Sequence, residues 1–225
     1  MSKCLVILSG GMDSATVLAQ VVSLHDSENT IALTFDYGQR HSKEMEAAKA
    51  LARYYNVRHI IFSVDLTQIG GSSLTDKSIA VPDFKKDENV WKKEKVALSY
   101  VPMRNTIFIS IASAYAETLG CSEIYTGFNW IDSGGYPDTR KSYVRAMNRV
   151  LSIGSRDHPR VIAPLIEMNK KQIVELGESL GVPWQFTYSC YEGKSVPCGR
   201  CNACIQRLKG FDAANIKDPL LRLPI

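Results

Sequence analysis

The sequence predicts an α/β protein built on a mostly parallel, doubly wound sheet, and three observations lead there. Short runs rich in β-branched and aliphatic residues alternate with longer segments of helical period. The first such run breaks at two glycines and restarts as a helix. At 225 residues the chain can bury one full α/β core with a small appendage, but not two. Hydrophobic residues at 45% and charged residues at 22% are those of a folded domain, which sets disorder aside. No apolar run approaches the roughly 20 residues that span a bilayer. The opening Met-Ser-Lys-Cys-Leu-Val-Ile-Leu reads as a first strand and not as a signal peptide, so a cytoplasmic location without a membrane partner is expected. A net charge of +4 suits anionic ligands and falls short of a nucleic-acid footprint, so no direct nucleic-acid binding is expected.

Taken in order, the elements are these. Residues 4 to 8 (Cys-Leu-Val-Ile-Leu) form a buried strand and 13 to 25 a helix. Residues 30 to 36 (Thr-Ile-Ala-Leu-Thr-Phe-Asp) form the second strand. A helix over 42 to 55 follows, with Met45, Ala48, Leu51, Ala52 and Tyr55 on one face and Lys43, Glu46 and Lys49 off it. Strands at 57 to 64, 123 to 128 and 160 to 165 alternate with helices at 105 to 119, 141 to 153 and 169 to 180. Asn169 supplies an N-cap for the last helix and Gly181 a stop. Residues 65 to 100 are too long for an ordinary connection; they carry Gly70-Gly71-Ser72-Ser73 and then a lysine-rich run read as a solvated charged loop. After residue 182 the periodicity stops, which divides the chain into a nucleotide-binding domain at 1–182 and a metal-binding subdomain at 183–225.

The turn Ser9-Gly10-Gly11-Met12-Asp13-Ser14 lacks the lysine of a Walker A loop and the third glycine of a dinucleotide fingerprint. What remains is a strand end, two residues able to take positive φ, and hydroxyls beside an acid at a helix start. Backbone N–H groups there converge on an anion. Asp13 suits such a site if Mg²⁺ lies between carboxylate and phosphate; the alternative is a tight turn with Ser or Asp as helix cap.

Four of six cysteines crowd together as Cys190, Cys198, Cys201 and Cys204, with two short chelate steps and Gly199 to relieve the turn. Four thiolates close a tetrahedral Zn²⁺ site, so a structural zinc is expected ahead of an iron–sulfur cluster or a redox pair. Cys4 and Cys121 stand in apolar surroundings and read as buried packing. Tyr188 and Tyr191 flank the first thiol, where core packing is the default.

Ser-Gly-Gly-x-Asp-Ser directly after a first strand resembles the pyrophosphate loop of the ATP pyrophosphatases, the PP-loop superfamily. Four more segments extend the likeness: Phe35-Asp36-Tyr37-Gly38-Gln39-Arg40-His41, Val101-Pro102-Met103-Arg104-Asn105-Thr106, Ser133-Gly134-Gly135-Tyr136-Pro137-Asp138-Thr139-Arg140, and Ser189-Cys190-Tyr191 with the three later cysteines. In that order, over nearly the whole chain, they resemble the 7-cyano-7-deazaguanine synthase family. Met103, Gly134 and Thr139 stand where that family commonly carries other residues.

The resemblance implies an adenine nucleotide alpha-hydrolase-like fold, a cytoplasmic homodimer, and conversion of 7-carboxy-7-deazaguanine, ammonia and two ATP into the nitrile, with release of AMP and pyrophosphate. It implies that Leu8, Ser9, Gly10, Gly11, Met12, Asp13, Ser14, Ala15, Thr16, Val17 and Leu18, with Asp36, bind ATP, that Mg²⁺ accompanies the nucleotide, and that Asp13 and Arg104 act in catalysis. Asp132, Tyr136, Asp138 and Arg140, just past the fourth strand, are its substrate-binding candidates. Arg104 offers a bidentate fork to a phosphate or carboxylate, the alternative being a surface ion pair. Lys170 and Lys171 head a helix near the phosphates, yet a solvated first-turn lysine is the expectation. RNA thiolation enzymes of the same superfamily also adenylate a carbonyl, but they need a persulfide donor and only Cys4 and Cys121 are left over. A relative that joins the deazaguanine carboxylate to a protein amine is not separated by the sequence.

Overall fold

The computed structural model describes residues 2–84, 96–129 and 135–220. Five strands, β1 (Lys3–Ile7), β2 (Thr30–Asp36), β3 (Arg58–Ser63), β4 (Cys121–Tyr125) and β5 (Arg160–Ile162), form one sheet in the order β3-β2-β1-β4-β5. Every pairing is parallel. Between and after them lie α1 (Met12–His25), α2 (Lys43–Tyr54), α3 (Arg104–Leu119), α4 (Lys141–Gly154), α5 (Lys170–Ser179) and α6 (Asn202–Ala213).

The central strand shows why the sheet is covered on both sides. Cys4, Val6 and Leu8 point into a core shared with Ala15, Leu18, Ala48 and Leu51 of α1 and α2, while Leu5 joins Ile31, Leu33 and Phe35 beneath Phe108, Ala112 and Ala116 of α3. That period of two, apolar on both faces, is why the strands read as unbroken apolar runs. Phe35 and Phe108 stack at 3.9 Å. Cys4 and Cys121 are buried, as expected of packing residues.

The helix boundaries follow their chemistry. Asn169 caps α5 and Gln172 returns the bond, a reciprocal capping box. Gly181 takes a φ of 67° just past the helix end. Asn105, where the expected helix begins, lies inside the first turn of α3, which opens at Arg104, and Met103 precedes the helix at φ 56°, an uncommon backbone for a long side chain. β4 begins two residues earlier than expected and β5 is shorter, because residues 126–128 and 163–165 leave the sheet after their pairing ends.

The sequence-based reading that periodicity ends at residue 182 is corrected by α6. Cys204, Leu208 and Phe211 bury one face of it, and Phe211 meets Trp184 inside the core that holds β1 and α1. The period is masked because Arg207 on that helix is also fully buried, its guanidinium gripping both oxygens of Asp218 at 2.6 and 2.9 Å and Thr187 at 2.7 Å. Within the long connection after β3, the Arg40 guanidinium donates to the carbonyls of Ser73, Asp76 and Ile79 and so folds residues 72–79 against the sheet edge. The lysine-rich run at 85–95 lies outside the described residues.

β1 has α1 leaving to one side and β4 arriving on the other, which makes the gap between their carboxyl ends the switch point of the sheet.

Candidate active site

A cavity of about 250 Å³ opens at that switch point, and the loops after β1 and β4 form two of its walls. β1 hands over to Ser9 and then to Gly10 at φ 86°. A Cβ on Gly10 would lie 2.4 Å from the Glu44 carbonyl and 2.8 Å from the Ala48 nitrogen, so only glycine lets the turn lie against α2. Gly11 precedes α1 with no side-chain cap, which leaves the first turn of the helix open to a ligand. Ser9 and Ser14 bind each other at 3.0 Å, and the Ser9 hydroxyl accepts the Gly11 N–H at 3.3 Å. These bonds fix the loop without occupying that first turn.

Asp13 faces the cavity from α1. Its Oδ2 accepts from Lys170 Nζ at 2.7 Å and from Asn129 Nδ2 at 3.1 Å, while Oδ1 is buried with no partner. The expectation of a solvated lysine is therefore corrected for Lys170, which is 6% exposed because Gly210 of α6 seats on its backbone and Cβ. Lys171 alone keeps the exposed role and pairs with Glu175.

The other end of the cavity is aromatic. Arg104, at the start of α3, lies 5.7 Å from the Tyr37 ring centre and 6.0 Å from that of Phe108, and it reaches the Tyr37 hydroxyl at 3.5 Å. Its Nε is buried and unpartnered. Burial works against the charge, but Tyr37, Tyr136 and Asp138 hold its pKa above the ordinary value. The same burial pushes Tyr37 up to about 12. Tyr136 bonds Ser99 at 2.6 Å and Tyr191 at 3.2 Å, which draws the cysteine-rich tail into the wall. Glu44, in the first turn of α2, also lines the cavity; desolvation raises its carboxyl to about 7 while Arg104 pulls it down.

Of the residues singled out in the sequence, Ser9, Gly11, Met12, Asp13, Ser14, Arg104 and Tyr136 line this cavity, and Gly10 backs it. Leu8, Ala15, Thr16, Val17 and Leu18 are buried beneath it. Asp36 is exposed at the end of β2 and Arg140 is exposed at the head of α4; neither lines the cavity. Asp138 is buried with Oδ2 on the Asn105 N–H at 3.3 Å and Oδ1 unpartnered. Asp132 lies outside the described residues. Tyr188 and Tyr191, read as core packing, both line the cavity. Glu44, which lines the cavity, and Asn129, which holds Asp13, were not found in the sequence, while Ser189 and Asn202 lie in the cysteine segments but were given no role there. A signal existed for Glu44, which shares the buried face of α2 with Ala48 and Leu51 at helical spacing.

The four cysteine sulfurs of the tail lie within 4.8 Å of one another, so Cys190, Cys198, Cys201 and Cys204 can bind a metal. Backbone N–H groups of Glu192 and Cys198 point at Cys190 Sγ at 3.4 and 3.3 Å, and that of Cys201 at Cys198 Sγ at 3.3 Å. Such donors favour the thiolate form that a metal needs. Gly199 sits at φ 66° in the turn between two of these cysteines, as expected.

The model of the queuosine biosynthesis protein QueC family matches residues 3–215. The 7-cyano-7-deazaguanine synthase of Thermoplasma volcanium is 47% identical over 97% of this chain and 90% of its own, and that of Trichodesmium erythraeum 44% identical over 97% and 100%. Among solved structures, an NH3-dependent NAD synthetase from Campylobacter jejuni superposes with a TM-score of 0.48 at 20% identity, over 83% of this chain and 67% of its own. With a family match over residues 3–215 and relatives 47% and 44% identical along nearly the whole chain, this chain belongs to the family of the queuosine biosynthesis protein QueC.

Proposed function

We propose that this protein is an ATP-dependent, nitrile-forming C–N ligase that converts 7-carboxy-7-deazaguanine and ammonia to 7-cyano-7-deazaguanine. One observation carries the reading: an anion cradle and a flat, aromatic, arginine-bearing chamber open into the same cavity, so a nucleotide α-phosphate and a planar carboxylate can meet there.

A carboxylate is a poor electrophile and its oxygen a poor leaving group; adenylation cures both. The first turn of α1 and Lys170 hold the departing pyrophosphate, and Arg104 neutralises the oxygens between substrate and α-phosphate. Ammonia gives the amide, whose oxygen then attacks a second ATP at the same place, and loss of AMP leaves the C≡N bond. Two AMP and two pyrophosphate leave per turnover. Tyr136 and, from the sequence, Asp132, Asp138 and Arg140 are the residues assigned to the deazaguanine, and Asp36 to the edge of the adenosine site.

The unpartnered Oδ1 of Asp13 suits Mg²⁺, and Asp13 is the residue that would hold it. Bound there, the ion supplies charge neutralisation to the phosphates. Four sulfurs this close suit one Zn²⁺, whose tetrahedral thiolates stand about 3.8 Å apart at bonds of about 2.3 Å, better than a cluster that spreads its ligands. A closed Cys4 shell leaves no open position, so the metal would staple residues 183–225 to the 1–182 domain and take no part in the chemistry. The partners are ATP, the deazaguanine acid and ammonia, with no nucleic acid and no membrane; no described helix is long and apolar enough to cross one. A cytoplasmic homodimer is the working assembly.

Purified protein incubated with Mg-ATP, ammonia and 7-carboxy-7-deazaguanine should yield AMP, pyrophosphate and the nitrile by mass spectrometry. AMP appearing only when an RNA or a protein acceptor is added would overturn the reading in favour of a thiolation enzyme or a protein-ligating relative.

A further inference from the structure

Resting on that reaction, we infer that Glu44 is the base that takes the protons shed by the substrate nitrogen. Proton bookkeeping makes some such group necessary. When ammonia attacks the acyl adenylate, a C–N bond forms, the C–O bond to AMP breaks with its electron pair leaving on AMP, and the nitrogen must lose one proton to become the neutral amide. When the amide oxygen attacks the second α-phosphorus, the P–O bond to pyrophosphate breaks and the nitrogen loses a proton to give the imidate. When AMP then departs with the C–O electron pair, the last N–H proton leaves and its electrons become the third C–N bond. Each step is neutral in charge only if a base beside the nitrogen accepts a proton and later yields it to water.

Among the described residues lining the cavity, the candidates are few. No histidine or cysteine is present there, and the carboxylates are Asp13 and Glu44. Asp13 is committed to Lys170 and Asn129 through one oxygen and suits a cation through the other. Tyr37 and Tyr188 are pushed far up by burial and are poor bases near neutrality. The Glu44 carboxyl has no hydrogen bond or salt bridge among the described residues, and Arg104 acts on it only at longer range. Its position is also fixed from both sides. Its carbonyl lies against Gly10 of the phosphate turn, and its carboxyl lines the same cavity as Arg104 and Tyr37, where the arginine draws its pKa down and it in turn raises that of Tyr37. The reacting carbon sits between phosphate turn and arginine in this reading, so Glu44 faces the place where nitrogen arrives. A carboxyl held near 7 by desolvation can accept a proton and release it again at physiological pH. Charged groups facing it are Arg104 from α3 and Cys190 from the tail.

The test separates adenylation from nitrogen chemistry in Glu44→Gln, which keeps the shape and removes the base. Exchange of labelled pyrophosphate into ATP, driven by the carboxylic acid without ammonia, should fall by no more than about threefold. Nitrile formation from the synthetic amide with ATP should fall by about 100-fold or more, and Glu44→Asp should recover part of it. Equal loss of exchange and nitrile would assign Glu44 a structural part and overturn the inference, as would an unchanged nitrile rate. Wild-type protein assayed alongside keeps the two readings apart. No nitrile from wild type overturns the proposed function, whereas nitrile from wild type and from Glu44→Gln at the same rate overturns the role of Glu44 alone.

Discussion

The turn from Ser9 to Ser14 builds one end of the cavity, the end proposed to hold phosphate, with Gly10 behind the lining residues, whereas the aromatic end collects Tyr37, Arg104, Tyr136 and Tyr191 from four separate segments. The first is mainly backbone, held by a positive φ at Gly10 and short hydroxyl bonds. The second is side chain, held by stacking around one guanidinium. In the proposed reading, the backbone turn would accept any triphosphate and tolerate no change of shape, while the side-chain chamber would select one planar partner and could be retuned piece by piece. Binding energy that serves every ATP would then be separated from contacts that distinguish one substrate from another.

Three substitutions test that division. The largest effect is expected at the phosphate end: Asp13→Asn removes the charge that answers Lys170 and the cation, and pyrophosphate exchange and nitrile formation should both fall by about 10³-fold with the fold unchanged by circular dichroism. Retained AMP release would show that the acid is only a helix cap. Next comes the tail. Cys201→Ser, or removal of the metal with a chelator, should lower Tm by about 10 °C, since each kcal/mol lost moves a chain of this length by about 2–4 °C. Because Tyr188 and Tyr191 belong to the tail, the same change should raise KM for the deazaguanine acid more than KM for ATP. The smallest effect is expected from Arg104→Lys, which keeps the charge and loses the fork. KM for the acid should rise by about 10- to 100-fold with a milder change in kcat. If this variant matched Asp13→Asn in both half-reactions, the two ends would not be separable as described.

The same contrast governs what could be read from the sequence. Strands, their alternation with helices, the capping Asn169 and the cysteine cluster are local, and each was legible because its signal lies within a short stretch of chain, Cys190 to Cys204 being the longest. The phosphate turn belongs with them. The chamber was legible only in fragments. Arg104 announced itself through its neighbours, but Ser189 and Asn202 reach the cavity, and Asn129 reaches Asp13, through the closing of β4 and the tail, a tertiary event that leaves no period. Two misreadings have a common cause. α6 was missed and Lys170 was given to solvent because each buries a cation, Arg207 against Asp218 and Lys170 against Asp13, and a buried charge looks like surface in one dimension.

The contact between Lys170 and Asp13, 2.7 Å long, ties the first turn of α5 to the first turn of α1 across one wall of the cavity. In the proposed reading this mostly buried pair is a charge balance set in advance, and a cation taken up by the second oxygen of Asp13 would tilt it toward an arriving anion.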